Sequence, residues 1–337
     1  HLGAYDGLLD GSAGHWETLR GKGLSPTALE TYVRCPFQYF AEKVLKLESV
    51  RPLPARELPP SALGDLCHKA LRHCVDGLIE GAWLSKAMLP EELRAAVRDA
   101  VARVCDAYEA NHGTGYALTW RLARELVEQV VLATVQAEES VWRASGALPV
   151  DTETEAAGRL PDEVADEPIA IRGYWDRVDR VGDSGALRIV DYKFRAAGEL
   201  KPEDRNLPQA ALRGKKLQPA FYSLMHPIKP LPDGATGNPE LVEFVYLLPG
   251  GQPAIERAQY PAESWAGAIG AQLRSSLREM IAGLREEQFF ILPDSYCTYC
   301  DFAVACRRDH QATWWRSYRA EEARALRRLR RRKLEHE

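Results

Sequence analysis

The sequence lacks the features that mark several large classes of protein. No apolar run approaches the roughly 18 residues of a membrane-spanning helix, and no stretch reads as a secretory signal. No Gly-x4-Gly-Lys-Ser/Thr phosphate-binding loop occurs, which predicts that these 337 residues contain no motor of the helicase type. We therefore expect a cytoplasmic protein without membrane contacts.

An excess of one charge is also missing. The 44 Lys and Arg residues against 48 Asp and Glu residues leave a formal net charge of −4, so nucleic-acid binding would depend on local basic patches. The seven cysteines are an odd number in a chain without secretory features, which argues against a disulfide framework. The chain begins with His1 rather than Met, which indicates a processed product or a piece of a longer protein.

The most informative stretch is IVDYKF at 189–194, which places an acid and a base inside an apolar run. In a strand, residues i and i+2 point to the same face, so Asp191 and Lys193 would lie side by side with the Tyr192 carbonyl between them. Two unlike charges in such a run are costly unless something holds them there. The alternative to a functional site is a salt-bridged edge strand.

A second strand is predicted over residues 169–181, with Asp176 and Asp179 among its apolar residues. The sequence Gly-Asp-Ser-Gly at 182–185 predicts a hairpin turn into the strand that carries Asp191. A carboxylate on one strand would then lie beside an Asp-x-Lys on its neighbour. This arrangement suits a hard divalent cation with oxygen ligands and a lysine beside a metal-bound water.

Helical patterns flank these strands. Ser25 as N-cap and Pro26 at the first helical position predict a helix start, and we expect that helix to continue through Cys35 to Phe40. Apolar periodicity and local motifs predict further helices at 61–71, 90–112, 116–145, 217–224 and 262–285.

Three cysteines follow the last predicted core helix, in the pattern Cys297-x-x-Cys300-x5-Cys306. A C-x-x-C sequence in an intracellular protein indicates zinc, redox chemistry or an iron–sulfur cluster. Cys35 or His310 could complete a zinc site, whereas a redox role lacks the thioredoxin-like context that it needs.

GYWDRVD at 173–179 followed by DYK at 191–193 resembles the motif of the PD-(D/E)XK nuclease superfamily, in particular of its RecB/AddB-type exonuclease branch. GDLCHKAL at 64–71 is similar to the first motif of the RecB-like nucleases. The resemblance implies that His68, Asp176 and Asp191 hold Mg²⁺ or Mn²⁺, with the Tyr192 carbonyl as a further ligand. It also implies that Lys193 orients and acidifies the attacking water.

Two more motifs fit the same family. QPAFY at 218–222 resembles its Q-x-x-x-Y motif, which implies that Gln218 and Tyr222 position the DNA strand. Relatives often carry a glutamate on the strand before Asp176, which makes Glu155 a candidate. LSPTALETYVRCPFQYF at 24–40 looks like the segment that opens AddB-type nuclease domains. That resemblance implies a 4Fe–4S clasp between the two ends of the domain, held by four cysteines: Cys35, Cys297, Cys300 and Cys306.

The resemblance implies an α/β fold, with a PD-(D/E)XK restriction-endonuclease-like core, a mixed central sheet, a helical flank and the iron–sulfur clasp. We expect an irregular lead-in at 1–23, a single nuclease domain at 24–310 and a basic C-terminal helix at 311–337. The implied activity is that of a metal-dependent DNA exonuclease acting on single-stranded ends in recombination and repair. It would work beside a helicase domain or partner subunit of a larger protein.

Two alternatives to this activity stay open. The first is a catalytically weak DNA-binding or scaffolding module of the same fold, although such relatives usually lack one of the carboxylates or the lysine. The second is a zinc-containing interaction domain in which Asp191 and Lys193 form a surface ion pair.

Overall fold

A six-stranded mixed sheet lies at the centre of the protein, with strands in the order β4-β1-β2-β3-β5-β6. The structure is a computed structural model and describes residues 1–9, 14–48, 58–81, 89–196 and 200–334. The strands are β1 (Ala147–Arg159), β2 (Ala170–Val181), β3 (Ala186–Phe194), β4 (Met225–Pro227), β5 (Pro239–Leu248) and β6 (Ala254–Pro261). All neighbours pair antiparallel except β3 and β5, which are parallel. The prediction of an α/β fold with a mixed sheet is confirmed.

The predicted hairpin is formed by β2 and β3. Val178 pairs with Ile189, and a short turn at Gly182–Ser184 connects the strands. Gly185 ends that turn with a φ of 72°, a left-handed conformation that glycine adopts without strain. The hairpin brings the strand that carries Asp176 beside the strand that carries Asp191.

Helices cover both faces of the sheet. The helices are α1 (His15–Lys22), α2 (Pro26–Arg34), α3 (Pro36–Tyr39), α4 (Pro60–Glu80), α5 (Pro90–Asn111), α6 (Ala117–Ser145), α7 (Pro202–Arg205), α8 (Leu207–Leu212), α9 (Gln218–Tyr222), α10 (Gly267–Arg285), α11 (Gln311–Arg319) and α12 (Glu321–Leu329). One apolar core lies between the sheet and α4–α6, and the other between the sheet and α2, α8–α10 and α12. No helix in the described ranges combines the length and apolar content needed to cross a membrane.

The N-terminal region differs from the sequence prediction in two ways. The lead-in at 1–23 is not wholly irregular, because it contains α1, whose Trp16 is buried in the core. The helix that starts at Pro26 ends at Arg34 instead of continuing to Phe40. Cys35 is extended, with φ −162° and ψ 113°, because Pro36 disfavours a helical conformation in the residue before it.

The C-terminal segment also differs from the single basic helix predicted at 311–337. It forms two helices, α11 and α12, which are separated at the extended residue Ala320. Leu326 and Leu329 are buried in the core between the sheet and α10. The segment is therefore packed against the domain through one face, and its last three residues, 335–337, lie outside the described part of the chain.

Candidate active site

Asp191 and Lys193 lie side by side at the end of β3. Lys193 Nζ is 2.6 Å from Asp191 Oδ2, which confirms that both side chains project from one face of the strand. Asp191 is only 2% exposed, and its Oδ2 otherwise has no hydrogen-bond partner among the described residues. Lys193 Nζ also donates a 2.8 Å hydrogen bond to Gln218 Oε1 and lies 4.8 Å from the centre of the Phe244 ring.

A group of possible metal ligands lies beside this pair. His68 Nε2 is 2.7 Å from Asp176 Oδ2, and His68 Nδ1 is 3.6 Å from Glu153 Oε1. One ligand atom from each of the three residues lies within 4.8 Å of the other two. Asp176 Oδ2 also accepts a 2.8 Å hydrogen bond from the backbone N–H of Tyr192, which joins this group to the strand of Asp191. One imidazole and two carboxylates suit Mg²⁺ or Mn²⁺.

Glu153 takes the position that the sequence reasoning assigned to Glu155. On β1, Thr152 pairs with Arg177 and Thr154 with Trp175, so Glu153 lies opposite Asp176. Glu153 has a φ of 51°, which interrupts the regular alternation of β1 at this point. Glu155 pairs instead with Tyr174 and is not among the three grouped ligands. The resemblance named only Glu155, because a regular strand would place the acids at 153 and 155 on the same face and gives no reason to prefer Glu153.

The carboxylates of the site have too few positive partners. Burial, and then the neighbouring Asp176 carboxylate, raise the pKa of Asp191 to about 7, although Lys193 acts in the opposite direction. Burial lowers the pKa of His68, but the hydrogen bond and charge of Asp176 outweigh burial and raise it overall. A bound cation would stabilise the ionised form of these acids.

Gln218 and Tyr222 adjoin the lysine. They are one helical turn apart on α9, and Gln218 Nε2 donates a 3.1 Å hydrogen bond to the Tyr222 hydroxyl. The sequence reasoning missed Glu30 of α2, a half-buried residue that contacts the start of this helix. Its Oε1 accepts hydrogen bonds from the backbone N–H groups of Leu217 and Gln218 at 2.6 and 3.3 Å. Glu30 thereby fixes the start of the helix that presents Gln218 to Lys193, a contact that no local sequence pattern predicts.

The Tyr192 side chain points away from Asp191 and Lys193, as predicted. Its hydroxyl accepts a hydrogen bond from Arg177 Nη1. Arg177 is fully buried and also contacts Glu138 and Asp179. The segment between Asp191 and Lys193 is thus anchored on one face by this side chain and on its backbone by Asp176. The metal-binding role of the Tyr192 carbonyl stays a prediction.

Four cysteines converge from the two ends of the domain. Cys35 is buried at the break between α2 and α3, and the backbone N–H of Phe37 donates a 3.1 Å hydrogen bond to the Phe290 carbonyl. Cys297 lies in a short 3-10 helix at Ser295–Tyr299. Burial and the nearby sulfurs of Cys35, Cys297 and Cys300 raise the pKa of Cys306 to about 11. The remaining cysteines of the chain are buried in the core beneath α4–α6: Cys67, Cys74 and Cys105.

Known proteins are similar in sequence to about half of this chain. Over 195 residues, 54% of this chain, the sequence is 28% identical to a subunit of the ATP-dependent helicase/deoxyribonuclease of Carboxydothermus hydrogenoformans. The corresponding subunit of the Lacticaseibacillus paracasei enzyme is 31% identical over 191 residues, 52% of this chain. These alignments span only 17% and 15% of the relatives' own lengths.

Among solved structures, SSO0001 aligns with 73% of this chain and 96% of its own at 18% identity. Its TM-score of 0.28 is too low for that likeness to carry a structural argument. The model of the PD-(D/E)XK nuclease superfamily, in contrast, matches residues 23–307, which include every site residue described above. This chain belongs to the PD-(D/E)XK nuclease superfamily.

Proposed function

We propose that this protein is a metal-dependent deoxyribonuclease that hydrolyses phosphodiester bonds at the end of β3. The observation that carries the proposal is the buried Asp191, paired with the half-buried Lys193 beside the group formed by His68, Glu153 and Asp176. A surface ion pair would leave its acid solvated, whereas Asp191 is buried and short of positive partners. The names of the relatives support DNA as the substrate and a helicase as the partner.

The donor set fits Mg²⁺ or Mn²⁺, which His68, Glu153, Asp176 and Asp191 would hold, with the Tyr192 carbonyl as a further ligand. Such an ion, when bound, supplies charge neutralisation at the phosphate and lowers the pKa of a water molecule. His68 Nε2 and Asp176 Oδ2 lie 2.7 Å apart, close enough for both atoms to bind the same ion once the imidazole is neutral.

Lys193 is placed to orient the attacking water and to stabilise negative charge at the phosphate. Its ammonium group is held by Asp191 and by Gln218 Oε1, so it lies at a fixed position on the edge of the metal-binding group. Burial lowers the pKa of Lys193, but Asp191 and Asp176 outweigh burial and raise it overall, which keeps the lysine protonated. Gln218 and Tyr222 position the DNA strand beside this group.

The test of the proposal is cleavage of an end-labelled single-stranded oligonucleotide with Mg²⁺ or Mn²⁺, and with EDTA as the blank. Wild-type protein should cut only with the metal, and Asp176→Asn should not cut while keeping its melting temperature. Lys193→Met should lose turnover, about 100-fold or more, yet keep most of its DNA affinity, because one cation carries little of the phosphate binding. DNA that is bound but never cut by the wild type would instead identify a scaffolding module.

We further infer that Cys35 and the C-terminal triplet hold a 4Fe–4S cluster with a structural role. A tetrahedral zinc site would keep its sulfurs within about 4 Å of one another, because each Zn–S bond is about 2.3 Å long. Among the described residues the four cysteines do not form so close a group, whereas a cluster binds each thiolate to a different iron and keeps them further apart. The cluster would join the start of the domain to its end.

The cluster is tested by the iron and acid-labile sulfide content and the visible absorption of protein purified without oxygen. Cys35→Ser should lose both and should melt at a lower temperature, since a link between distant chain positions restricts the unfolded state. Cys67→Ser is the matched control, because Cys67 is also buried but lies in the other core. Full iron and sulfide content in Cys35→Ser would contradict the clasp.

A further inference from the structure

The strand that carries Asp176 has one buried and one open face just before the site. Ile171 and Trp175 of β2 are fully buried in the core. Gly173 lies between them, and a Cβ atom at this position would be 3.0 Å from Tyr222 Cε1. The odd-numbered positions of this segment therefore face the core beneath α9.

The intervening positions lie on the opposite face, because alternate residues of a strand project in opposite directions. Arg172 and Tyr174 are exposed there, Tyr174 to 58%, and Asp176 of the metal-binding group comes next in the row. At the rise of an extended strand, each step of two residues covers about 7 Å. A cation and an aromatic ring thus line the direct approach to Asp176.

Neither side chain has a polar partner among the described residues. Tyr174 forms no hydrogen bond or ring contact with another described residue, although a tyrosine hydroxyl usually has a partner when it serves the core. Arg172 makes no ion pair in the described ranges. The stem of Arg172 packs closely against the backbone of Gly23. A Cβ atom added at Gly23 would lie 3.2 Å from Arg172 Cγ, and the φ of 88° there also favours glycine.

We propose that Tyr174 and Arg172 form a binding site for single-stranded nucleic acid next to the reacting phosphate. The Tyr174 ring stacks on a base, and the Arg172 guanidinium binds a backbone phosphate. Stacking suits this position because Glu155 lies opposite Tyr174 and repels a phosphate but not a base. The proposal rests on the proposed nuclease function, since it places the strand that Asp176 and its partners would cut.

Binding of a labelled single-stranded oligonucleotide in EDTA tests the site without any cleavage. The same measurement is made on an oligomer of equal length in which every base is replaced by an abasic unit. Tyr174→Ala should weaken binding of the base-bearing oligomer about 10-fold and leave binding of the abasic oligomer unchanged. Tyr174→Phe should bind as the wild type does, because stacking needs the ring and not the hydroxyl.

Two other variants separate the contributions. Arg172→Ala should weaken binding of both oligomers and lower the slope of affinity against salt concentration by about one. Tyr116→Ala is the matched control, because Tyr116 is also exposed, to 61%, but lies far from Tyr174. Tyr116 precedes α6, and about 33 Å of that helix separate it from Glu138, which contacts Arg177 of β2. It should bind both oligomers normally.

The proposal would be overturned if Tyr174→Ala bound both oligomers like the wild type, as expected of a surface that contacts a protein partner. Equal losses of affinity on both oligomers would overturn the stacking role as well. A wild type that shows these binding differences but never cleaves DNA with Mg²⁺ or Mn²⁺ would contradict the nuclease function alone.

Discussion

Two groups of charged side chains, one mostly buried and one half-buried around Asp191, adjoin the same β2–β3 hairpin, and they differ in charge balance. The first, which we call the arginine network, contains three acids and three arginines: Glu138, Asp179, Glu243, Arg177, Arg188 and Arg257. The second, which we call the candidate-site group, opposes three acids with one lysine and a histidine: Glu153, Asp176, Asp191, Lys193 and His68. The first group is neutral by itself, whereas the second needs added positive charge.

The pKa values of Glu138 and Asp191 follow this difference, although burial also raises the pKa of Asp179 in the arginine network. Burial raises the pKa of Glu138, but Arg177, Arg257 and Arg188 outweigh burial and lower it overall. Burial raises the pKa of Asp191 to about 7 with too little opposition from Lys193. A matched set of charges is balanced within the fold, whereas the unmatched set would be balanced by the cation of the proposed function. The difference predicts opposite effects of mutation on stability and on activity.

The largest effect is expected for Asp191→Asn, which keeps the shape of the side chain and removes its charge. Cleavage with Mg²⁺ should fall on the order of 1000-fold, because a metal ligand and the partner of Lys193 are lost together. In EDTA, thermal and urea unfolding should show stability equal to or above that of the wild type, because an uncompensated buried charge is removed. A large loss of stability would show that the charge of Asp191 is already balanced without metal.

The next effect is expected for Arg177→Met, which should lose about 3–5 kcal/mol of folding free energy, because the acids around it remain buried without their partner. The matched control is Arg180→Met on the same strand. Arg180 is exposed and lies 3.3 Å from Asp233, so its loss should cost less than about 1 kcal/mol. Urea unfolding measures both variants, and equal costs would contradict the structural role of the arginine network.

The smallest effect is expected for Asp6→Asn, which provides the reference value of an ion pair that solvent reaches through the exposed Arg316 side chain. Arg316 holds the pKa of Asp6 below its ordinary value through hydrogen bonds of 2.9 Å from Nε to Oδ2 and 2.6 Å from Nη2 to Oδ1. A lowered carboxyl pKa stabilises the fold above the unfolded value near 4, and this contribution is lost as the pH falls through the folded value. The variant should lose at most about 1 kcal/mol at pH 7, because solvent screens the pair.

The same measurement at acid pH completes this prediction. Wild type and Asp6→Asn should converge in stability once the pH falls below the lowered folded pKa of Asp6, where the carboxyl group is protonated in both the folded and the unfolded wild-type chain. A difference that persists there would show that the substitution acts through packing rather than through charge.

The parts of the site that the sequence predicts are those that local spacing determines. Strand alternation places Asp191 beside Lys193, and the Gly-rich turn predicts the hairpin that brings Asp176 to them. Glu153 was missed because its positive φ is a departure from strand geometry that no residue type announces. Glu30 was missed because it contacts α9 through backbone groups that are distant in sequence.

The fold shows the same division between local and distant contacts. The end of α2 at Cys35 was predictable from Pro36, but the apolar pattern on both sides concealed it. The strand β4 has only three residues, which is too few to show an alternating pattern in the sequence. Its pairing with β1 depends on the folded sheet. The order of the strands, including the parallel contact of β3 with β5, depends on packing and not on any single segment.

The hairpin also has a consequence for the order of events during synthesis. A hairpin closes within microseconds once its strands are free, whereas β3 must wait for β5 before it gains its parallel neighbour. Ribosomes add about 5–20 residues per second, so Cys306 is added to the chain roughly 5–20 s after Lys193. We therefore expect Asp176 and Asp191 to become neighbours in the nascent chain before the proposed cysteine clasp could join its two ends, so that the site would form before the clasp.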